Sequence, residues 1–192
     1  MKTSQNIMTD TEINIIHGLR KRSPRAQQQT LELYGNIVWT QVVRLVPNVE
    51  DAEEVYQDVF IKIFNNIKMY DETKASLKTW ITRIAYNEAI STLRRSRQAS
   101  IYFEEHEDEL NALSESEMEE TLGHPNKEVV QMMREAIKHL PPAEQLIITM
   151  FYYDEMSLKD IAYITGSIPT TIASKLCRTR KKLCKIINQL RS

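Results

Sequence analysis

The clearest structural signal in this chain is the segment SLKDIAYITGSIPTTIASKLCRTRKKLCKIINQL, which covers residues 157–190. Ser157 stands three residues before Asp160, a spacing typical of the capping box at the start of a helix. Gly166 then ends this helix, because glycine readily adopts the left-handed backbone that follows a helical C terminus.

The second helix of this segment is amphipathic. Ser167 can cap it, and Pro169 falls in its first turn, where a missing backbone N–H costs little. Apolar residues at helical spacing form one side, namely Ile172, Leu176, Leu183, Ile186, Ile187 and Leu190. The opposite side holds Thr171, Ser174, Lys175, Arg178, Lys181, Lys182 and Lys185. Two helices joined by a glycine-containing turn predict a helix-turn-helix.

The charge of this segment is strongly one-sided. No acidic residue follows Asp160, whereas seven Lys or Arg lie from Lys175 to Arg191, an asymmetry that suits a polyanion. On charge alone, a solvated basic face explains the pattern equally well. The helix-turn-helix signature favours DNA binding.

The composition predicts an all-α protein. Its 192 residues suffice for one or two domains, and the chain holds only four glycines and six prolines. No apolar run approaches the roughly 20 residues of a membrane span, and the N terminus lacks the apolar core of a signal peptide. We therefore expect a cytoplasmic protein with no direct membrane insertion.

The residues that commonly carry catalysis or bind metals are scattered. Cys177 and Cys184 are seven residues apart on one predicted helix, too far to bond each other, so we expect both to be reduced. The four histidines are dispersed, and there is no glycine-rich phosphate loop or metal-ligand spacing. We predict no catalytic residue, no metal, no cofactor and no enzymatic activity.

Charge divides the chain into segments. Residues 1–97 carry 14 basic and 11 acidic residues, residues 98–126 carry none and nine, and residues 127–192 carry 11 and six. The middle segment has no sustained apolar period and is predicted to be a flexible acidic linker. It would join a domain of three to four helices over residues 23–97 to a four-helix domain over residues 127–192. An N-terminal arm or short helix would occupy residues 1–22.

Apolar spacing predicts three helices in the first of these domains. The first helix runs from Pro24 to Pro47 and would bury Leu31, Tyr34, Val38, Val42 and Leu45. The second is capped by Asn48 and would bury Val55, Val59, Ile63 and Ile67, with Phe60 and Phe64 widening the apolar side. The third is capped by Ser76 and would bury Leu77, Ile81, Ile84 and Ala85.

A separate stripe on the third helix holds Trp80, Arg83, Asn87 and Arg94. An aromatic ring, an amide and guanidinium groups in a row can stack on unpaired bases and hold their backbone. The alternative is that Trp80 fills a core and the arginines face solvent. In the second domain, two further helices before residue 157 are predicted, separated by Pro141 and Pro142.

Three segments resemble a known family. They are DAEEVYQDVFIKIF from Asp51, SLKTWITRIAYNEAISTLRR from Ser76 and LPPAEQLIITMFYYDEMSLKDIA...TTIASKLCRTRKKL from Leu140. In this order they resemble the core-binding, minus-ten-reading and minus-thirty-five-reading segments of extracytoplasmic-function sigma factors of the sigma-70 superfamily. The resemblance covers roughly residues 20–190. It implies a transcription initiation factor that directs RNA polymerase core to promoters.

The resemblance also implies roles for individual residues. Those that would meet the polymerase are Asp51, Glu54, Gln57 and Asp58. Those that would engage the minus-ten DNA are Trp80, Arg83, Asn87, Arg94 and Arg95, with the 70–75 connection helping to form a pocket for a flipped base. Those that would bind the minus-thirty-five DNA are Thr170, Thr171, Ser174, Lys175, Arg178, Arg180, Lys181 and Lys182.

The chain departs from the family pattern at two positions. A basic residue is common where this chain has Ala173, and arginine is commoner than Lys175, so a bidentate contact to guanine is lost. The resemblance further implies an anti-sigma partner and an acidic linker that runs near the template strand, although a plain solubilising spacer would look the same. The rival interpretation is a helix-turn-helix regulator that acts without polymerase core.

Overall fold

A computed structural model describes residues 9–96 and 127–191 of the chain. The predicted acidic linker lies outside the described residues. The helices in the described part are α1 (Asp10–Arg20), α2 (Pro24–Leu45), α3 (Val49–Asn66), α4 (Leu77–Ser96), α5 (Lys127–Lys138), α6 (Pro142–Tyr152), α7 (Leu158–Thr165) and α8 (Pro169–Arg191). A short 3₁₀ helix, Ile67–Met69, follows α3. These described residues contain no strand.

The chain divides into two compact units. The N-terminal unit contains α1 to α4, and the C-terminal unit contains α5, α6, α8 and most of α7. The prediction of an all-α chain with two helical domains is confirmed. Within the described residues, none of the helices is both long and apolar enough to cross a membrane.

Helix α1 is the short helix that the weak apolar pattern of the first residues left open. Thr9 and Glu12 form a capping box, in which the Thr9 hydroxyl accepts from the Glu12 backbone N–H and the Glu12 carboxylate accepts from that of Thr9. The helix buries Ile15, Ile16 and Leu19 and packs on α2.

The packing of α2 differs from the prediction at one residue. Tyr34, Val38, Val42 and Leu45 are buried as predicted, but Leu31 is 39% exposed. The N-terminal half of α2 also buries Ala26 and Thr30, and this turns the packed face away from Leu31. The prediction that Leu31 belongs to the core was therefore wrong.

Local signals set the beginnings of α3 and α4. The side-chain oxygen of Asn48 accepts a 2.9 Å hydrogen bond from the Asp51 N–H, and the Ser76 hydroxyl accepts one of 3.0 Å from the Thr79 N–H. The predicted core residues of α3 are buried, and Phe60 is buried with them. On α4, only Ile84 of the predicted apolar set is half-buried rather than buried.

The C-terminal unit is built on α8, which packs on α5 and α6. The turn between α5 and α6 is closed by Gln145, whose amide nitrogen donates to the Leu140 carbonyl at 2.7 Å. The buried residues of α8 include Ile172, Leu176, Leu183 and Ile187. The end of the predicted apolar stripe is less covered, since Leu190 is 44% exposed.

Candidate nucleic-acid interface

The helix-turn-helix of α7 and α8 follows the predicted local signals. The Ser157 hydroxyl accepts from the Asp160 N–H at 3.1 Å and donates to the Asp160 carboxylate at 2.6 Å. Gly166 has φ +68°, in the left-handed region that ends a helix. Helix α8 begins at Pro169, so Ile168 takes the cap position in place of the predicted Ser167. Pro169 lies in the first turn of α8, where a backbone N–H has no acceptor within the helix, so its absence costs little.

The polar face of α8 is accessible over its first three turns. Thr170 and Ser174 are exposed, and Thr171, Lys175, Arg178 and Lys181 are half-buried. Ser174 donates to the Thr170 carbonyl at 3.0 Å, which leaves the oxygen lone pairs available to accept. These six residues share one face and include three cations, which suits a helix that meets a DNA groove.

Two other basic residues of α8, Arg180 and Lys182, are engaged by the packing of the domain. Lys182 forms a 2.8 Å ion pair with Glu144 of α6. Arg180 is half-buried on the packed side, at helical spacing from the buried Leu176 and Cys184. Its Nε is buried, and no hydrogen-bond partner is present among the described residues. Arg180 therefore lies away from the polar face, whereas Lys182, seven residues after Lys175, stays on that face but is paired with Glu144.

Four of the five predicted minus-ten residues lie on the outer side of α4. Asn87, Arg94 and Arg95 are exposed, and Arg83 is half-buried. Arg95 donates to the Thr92 hydroxyl at 3.0 Å, a contact that orients its guanidinium along the helix. This stripe combines one amide with three guanidinium groups, which can donate hydrogen bonds to a nucleic-acid backbone.

Trp80 does not share this exposure. Its side chain is 8% exposed, and its ring lies 5.4 Å from the ring of Tyr70, centroid to centroid. The burial of Trp80 agrees with the alternative in which this residue fills a core. A covered ring lacks the free face that stacking on a base needs. Helical spacing alone could not reveal this, since it does not show which loop covers a side of the helix.

The loop that covers Trp80 connects the 3₁₀ helix to α4. Tyr70 is 3% exposed, and its hydroxyl donates to the Ala75 carbonyl at 3.1 Å. Burial raises the pKa of Tyr70 to about 12, so the hydroxyl stays protonated and remains a donor at neutral pH. Between these ends, the side chains of Glu72, Thr73 and Lys74 are exposed.

The outer face of α3 is acidic around one apolar residue. Glu54 and Gln57 are exposed, and Asp51 and Asp58 are half-buried. Ile61 lies on the same face at helical spacing from three of these residues and is 55% exposed. An apolar centre within a polar rim is typical of a protein interface.

The sequence analysis missed Ile61 and also Ser91, which is exposed on α4 between Asn87 and Arg94. Extending each predicted face by three and four residues would have found both. In sequence, Ile61 has the character of an apolar core residue and Ser91 that of neutral surface, so neither residue type indicates an interface.

Two family models match the chain, sigma-70 region 2 over residues 30–99 and sigma-70 region 4 over residues 130–183. The first contains α3, the 70–75 loop and all of α4, and the second contains α7 and most of α8. They match in family order and together cover about two thirds of the 192 residues. The chain belongs to the extracytoplasmic-function group of the sigma-70 family. It is therefore a transcription initiation factor that directs RNA polymerase to promoters.

Relatives of this sigma factor cover most of its length. It is 26% identical to the ECF RNA polymerase sigma factor SigW of Bacillus subtilis over 184 residues, which are 91% of this chain and 96% of SigW. It is 30% identical to the ECF RNA polymerase sigma factor RpoE of Cereibacter sphaeroides over 125 residues, 65% of this chain and 66% of RpoE.

Two solved structures share the fold of this sigma factor. One is CnrH in complex with the cytosolic domain of CnrY, with a TM-score of 0.64 at 15% identity, covering 94% of this chain and 99% of CnrH. The other is the sigma factor RpoE in complex with the anti-sigma factor NepR from Bartonella quintana. Its TM-score is 0.58 at 21% identity, covering 84% of this chain and 96% of that one.

Proposed function

We propose that this sigma factor recognises the promoter with α4 and α8 and binds polymerase core with the outer face of α3. The observation that carries the proposal is that each of these helices is packed on one side and presents a polar side of suitable charge on the other. The proposed domain limits are those of the charge segments, with region 2 in residues 23–97, a linker over 98–126 and region 4 in residues 127–192.

The face of α3 would bind the polymerase core. Glu54, Gln57, Asp58 and Asp51 supply negative charge and acceptors for a basic partner surface, and Ile61 supplies apolar contact at the centre. Charge complementarity of this kind speeds association and sets orientation, while the desolvated centre contributes most to affinity.

The exposed side of α4 would bind the minus-ten element after the strands separate. Arg83, Asn87, Arg94 and Arg95 would contact the unpaired strand. A base turned out of the duplex would enter beside the 70–75 loop. Trp80 would support that loop from beneath, through its contact with Tyr70. Capture of the base offsets an unpairing cost of a few kcal/mol, so opening needs no hydrolysis by this chain.

The polar face of α8 would enter the major groove at the minus-thirty-five element. Its N-terminal residues, Thr170, Thr171 and Ser174, would lie nearest the base edges, as in other recognition helices. Lys175 and Arg178 would lie next along α8, and Lys181 would contact a backbone phosphate. We assign Lys182 and Arg180 to the packing of this domain first, because one is paired and the other lies on the buried side.

Each domain alone would bind DNA weakly. Two modules on a tether gain affinity only when a third body fixes their separation, and the polymerase core would be that body. The protein would thus act in the cytoplasm as a binding subunit without enzymatic activity of its own. An anti-sigma protein would regulate it by covering its DNA-binding and polymerase-binding faces. Support for this partner is that RpoE of Bartonella quintana was solved with the anti-sigma factor NepR.

Reconstitution with bacterial core polymerase tests the division of roles. Glu54→Lys should abolish core binding, while Glu32→Lys, a charge reversal at an exposed position of α2, should not. Arg178→Ala should reduce initiation only at promoters that have a minus-thirty-five element, with Lys138→Ala on α5 as the matched loss of an exposed cation.

Two outcomes would contradict this assignment. If Glu54→Lys forms a fully active holoenzyme, the polymerase does not bind this face of α3. If the wild-type protein alone binds one promoter duplex tightly and the core adds nothing, it acts as a helix-turn-helix regulator.

A further inference from the structure

The 70–75 loop is closed at its two ends by one buried hydrogen bond. The Tyr70 hydroxyl reaches across the loop to the Ala75 carbonyl at 3.1 Å, and Tyr70 and Ala75 are both buried. A buried carbonyl without a partner is costly, so this bond favours one loop conformation over open ones.

The phenol that makes this bond is itself fixed. Its ring lies against Trp80, tilted by 55° with centroids 5.4 Å apart. Trp80 sits in the first turn of α4, whose beginning is capped by Ser76. Tyr70 is therefore positioned by the helix that carries the proposed minus-ten residues, and the loop is held in register with that helix.

The exposed part of the loop has its own internal structure. The Asp71 carboxylate accepts from the Thr73 N–H at 3.0 Å and from the Thr73 hydroxyl at 2.6 Å, and it pairs with Lys74 at 3.3 Å. From α1, Arg20 reaches the Tyr70 carbonyl at 3.5 Å and the Glu72 carboxylate at 3.9 Å. The loop tip is thus shaped by a turn and contacted from outside by a second helix.

We propose that Tyr70 is a positioning residue for promoter opening, whose hydroxyl holds the 70–75 loop in the shape that receives the flipped base. This inference rests on the proposed function, in which the loop forms the base pocket. Tyr70 itself does not touch DNA, because it is buried beneath the loop. It acts through Glu72, Thr73 and Lys74, the exposed residues that the base would meet.

The physical advantage is preorganisation. A loop that became ordered only when it captured the base would lose conformational entropy at that step. This loss would add to the free-energy cost of unpairing, which base capture must offset. A loop closed beforehand has already lost that freedom during folding. Closing it also keeps the pocket the same for every base, so a base that fits poorly cannot reshape it.

The test compares two single-hydroxyl deletions in the same unit. Tyr70→Phe keeps the ring on Trp80 and removes only the bond to Ala75. Thr40→Val is the control, because the Thr40 hydroxyl also donates one bond to a backbone carbonyl, that of Asn36 at 2.7 Å within α2. Each variant is assembled with polymerase core, and strand opening is followed by permanganate reactivity of the minus-ten thymines.

We expect Tyr70→Phe to slow opening by roughly fivefold to tenfold, the effect of leaving one buried carbonyl unpaired. Discrimination among bases at the flipped position should fall as well, measured with single-stranded minus-ten oligonucleotides. Core affinity should stay within twofold of wild type. Thr40→Val should change neither opening nor discrimination.

Equal behaviour of the two variants in opening and discrimination would overturn the positioning role. A third variant, Thr73→Ala at the loop tip, separates this failure from that of the proposed function. If Thr73→Ala alters base discrimination and Tyr70→Phe does not, the loop reads the base without help from Tyr70. If neither alters it, the loop is not the base pocket, and the proposed function of this segment fails with the inference.

Discussion

The ammonium nitrogen of Lys182 on α8 lies 2.8 Å from a carboxylate oxygen of Glu144 on α6. Their side chains are 28% and 24% exposed, so water screens the pair only in part. The contact joins the helix with the basic face to the helix on which it packs. One cation of a polybasic run is thereby used inside the domain.

Lys182→Ala should therefore reduce stability more than DNA binding. We expect the free energy of unfolding of the C-terminal unit to fall by about 1 kcal/mol, a value kept small by the remaining exposure. Hydrogen exchange of the α6 and α8 amides measures this loss. Lys181→Ala is the control, and it should instead lower the salt dependence of DNA binding by about one phosphate contact. A salt effect as large for Lys182→Ala, with unchanged exchange, would show that the pair does not persist in solution.

Gly18 permits the close approach of α1 to α2. A β-carbon at this position would lie 2.6 Å from the β-carbon of Ala26, closer than two carbons can approach. Gly18→Ala should destabilise the N-terminal unit by about 1–3 kcal/mol, as overpacking does, although alanine is the better helix former. Urea unfolding followed by tryptophan fluorescence reports on this unit, because both tryptophans, Trp39 and Trp80, lie in it.

The double variant Gly18→Ala with Ala26→Gly provides the control for that experiment. Removing the opposing β-carbon should restore part of the lost stability. A single Gly18→Ala variant as stable as wild type would show that α1 does not pack this closely on α2.

Gly166 is required for its backbone conformation and not for space. Its φ is +68°, and among the described residues no heavy atom beyond its two chain neighbours lies within 4 Å of an added β-carbon. Gly166→Ala should destabilise the helix-turn-helix by about 1 kcal/mol, and Gly166→Asn by less, since asparagine tolerates the left-handed region better. Hydrogen exchange of the α7 and α8 amides would measure both. Equal losses for the two variants would point to a side-chain effect instead.

The turn at the tip of the 70–75 loop should depend on pH. The hydrogen bond from the Thr73 hydroxyl, followed by that from the Thr73 N–H, lowers the pKa of the Asp71 carboxyl below its ordinary value. Because the folded pKa is the lower one, the turn is fully stabilised above the ordinary pKa. That stabilisation is lost as the pH falls through the lowered value.

NMR titration of the Asp71 carboxyl carbon measures this shift directly. Thr73→Ala removes the main donor and should raise the pKa towards its usual range, whereas Thr73→Ser keeps a hydroxyl and should leave it low. The same pKa in all three proteins would mean that the turn is not formed in solution.

Much of the helical layout could be predicted from local signals. Asn48, Ser76 and Ser157 each cap a helix as predicted, and Gly166 ends one. Such signals act between groups three or four residues apart, so they are readable in any short segment. Leu31 could not be placed in this way, because its exposure depends on how the start of α2 packs on α1.

In the candidate site, too, some features could be predicted from helical spacing and others depend on tertiary contacts. Spacing correctly grouped the exposed residues of α4 and most of the polar face of α8, because helical geometry sets which residues share a side. It could not show that Tyr70 covers Trp80 or that Glu144 pairs with Lys182 from 38 positions away.

By itself, the amino-acid sequence determined most of the helix ends, the all-α class, the two helical domains and most of the sides of each helix, because these follow from interactions within one or two turns. Only the tertiary structure decided which of those sides are covered, which cations remain available and how the 70–75 loop is closed. These depend on contacts between elements distant in sequence, and such contacts form only when whole helices pack.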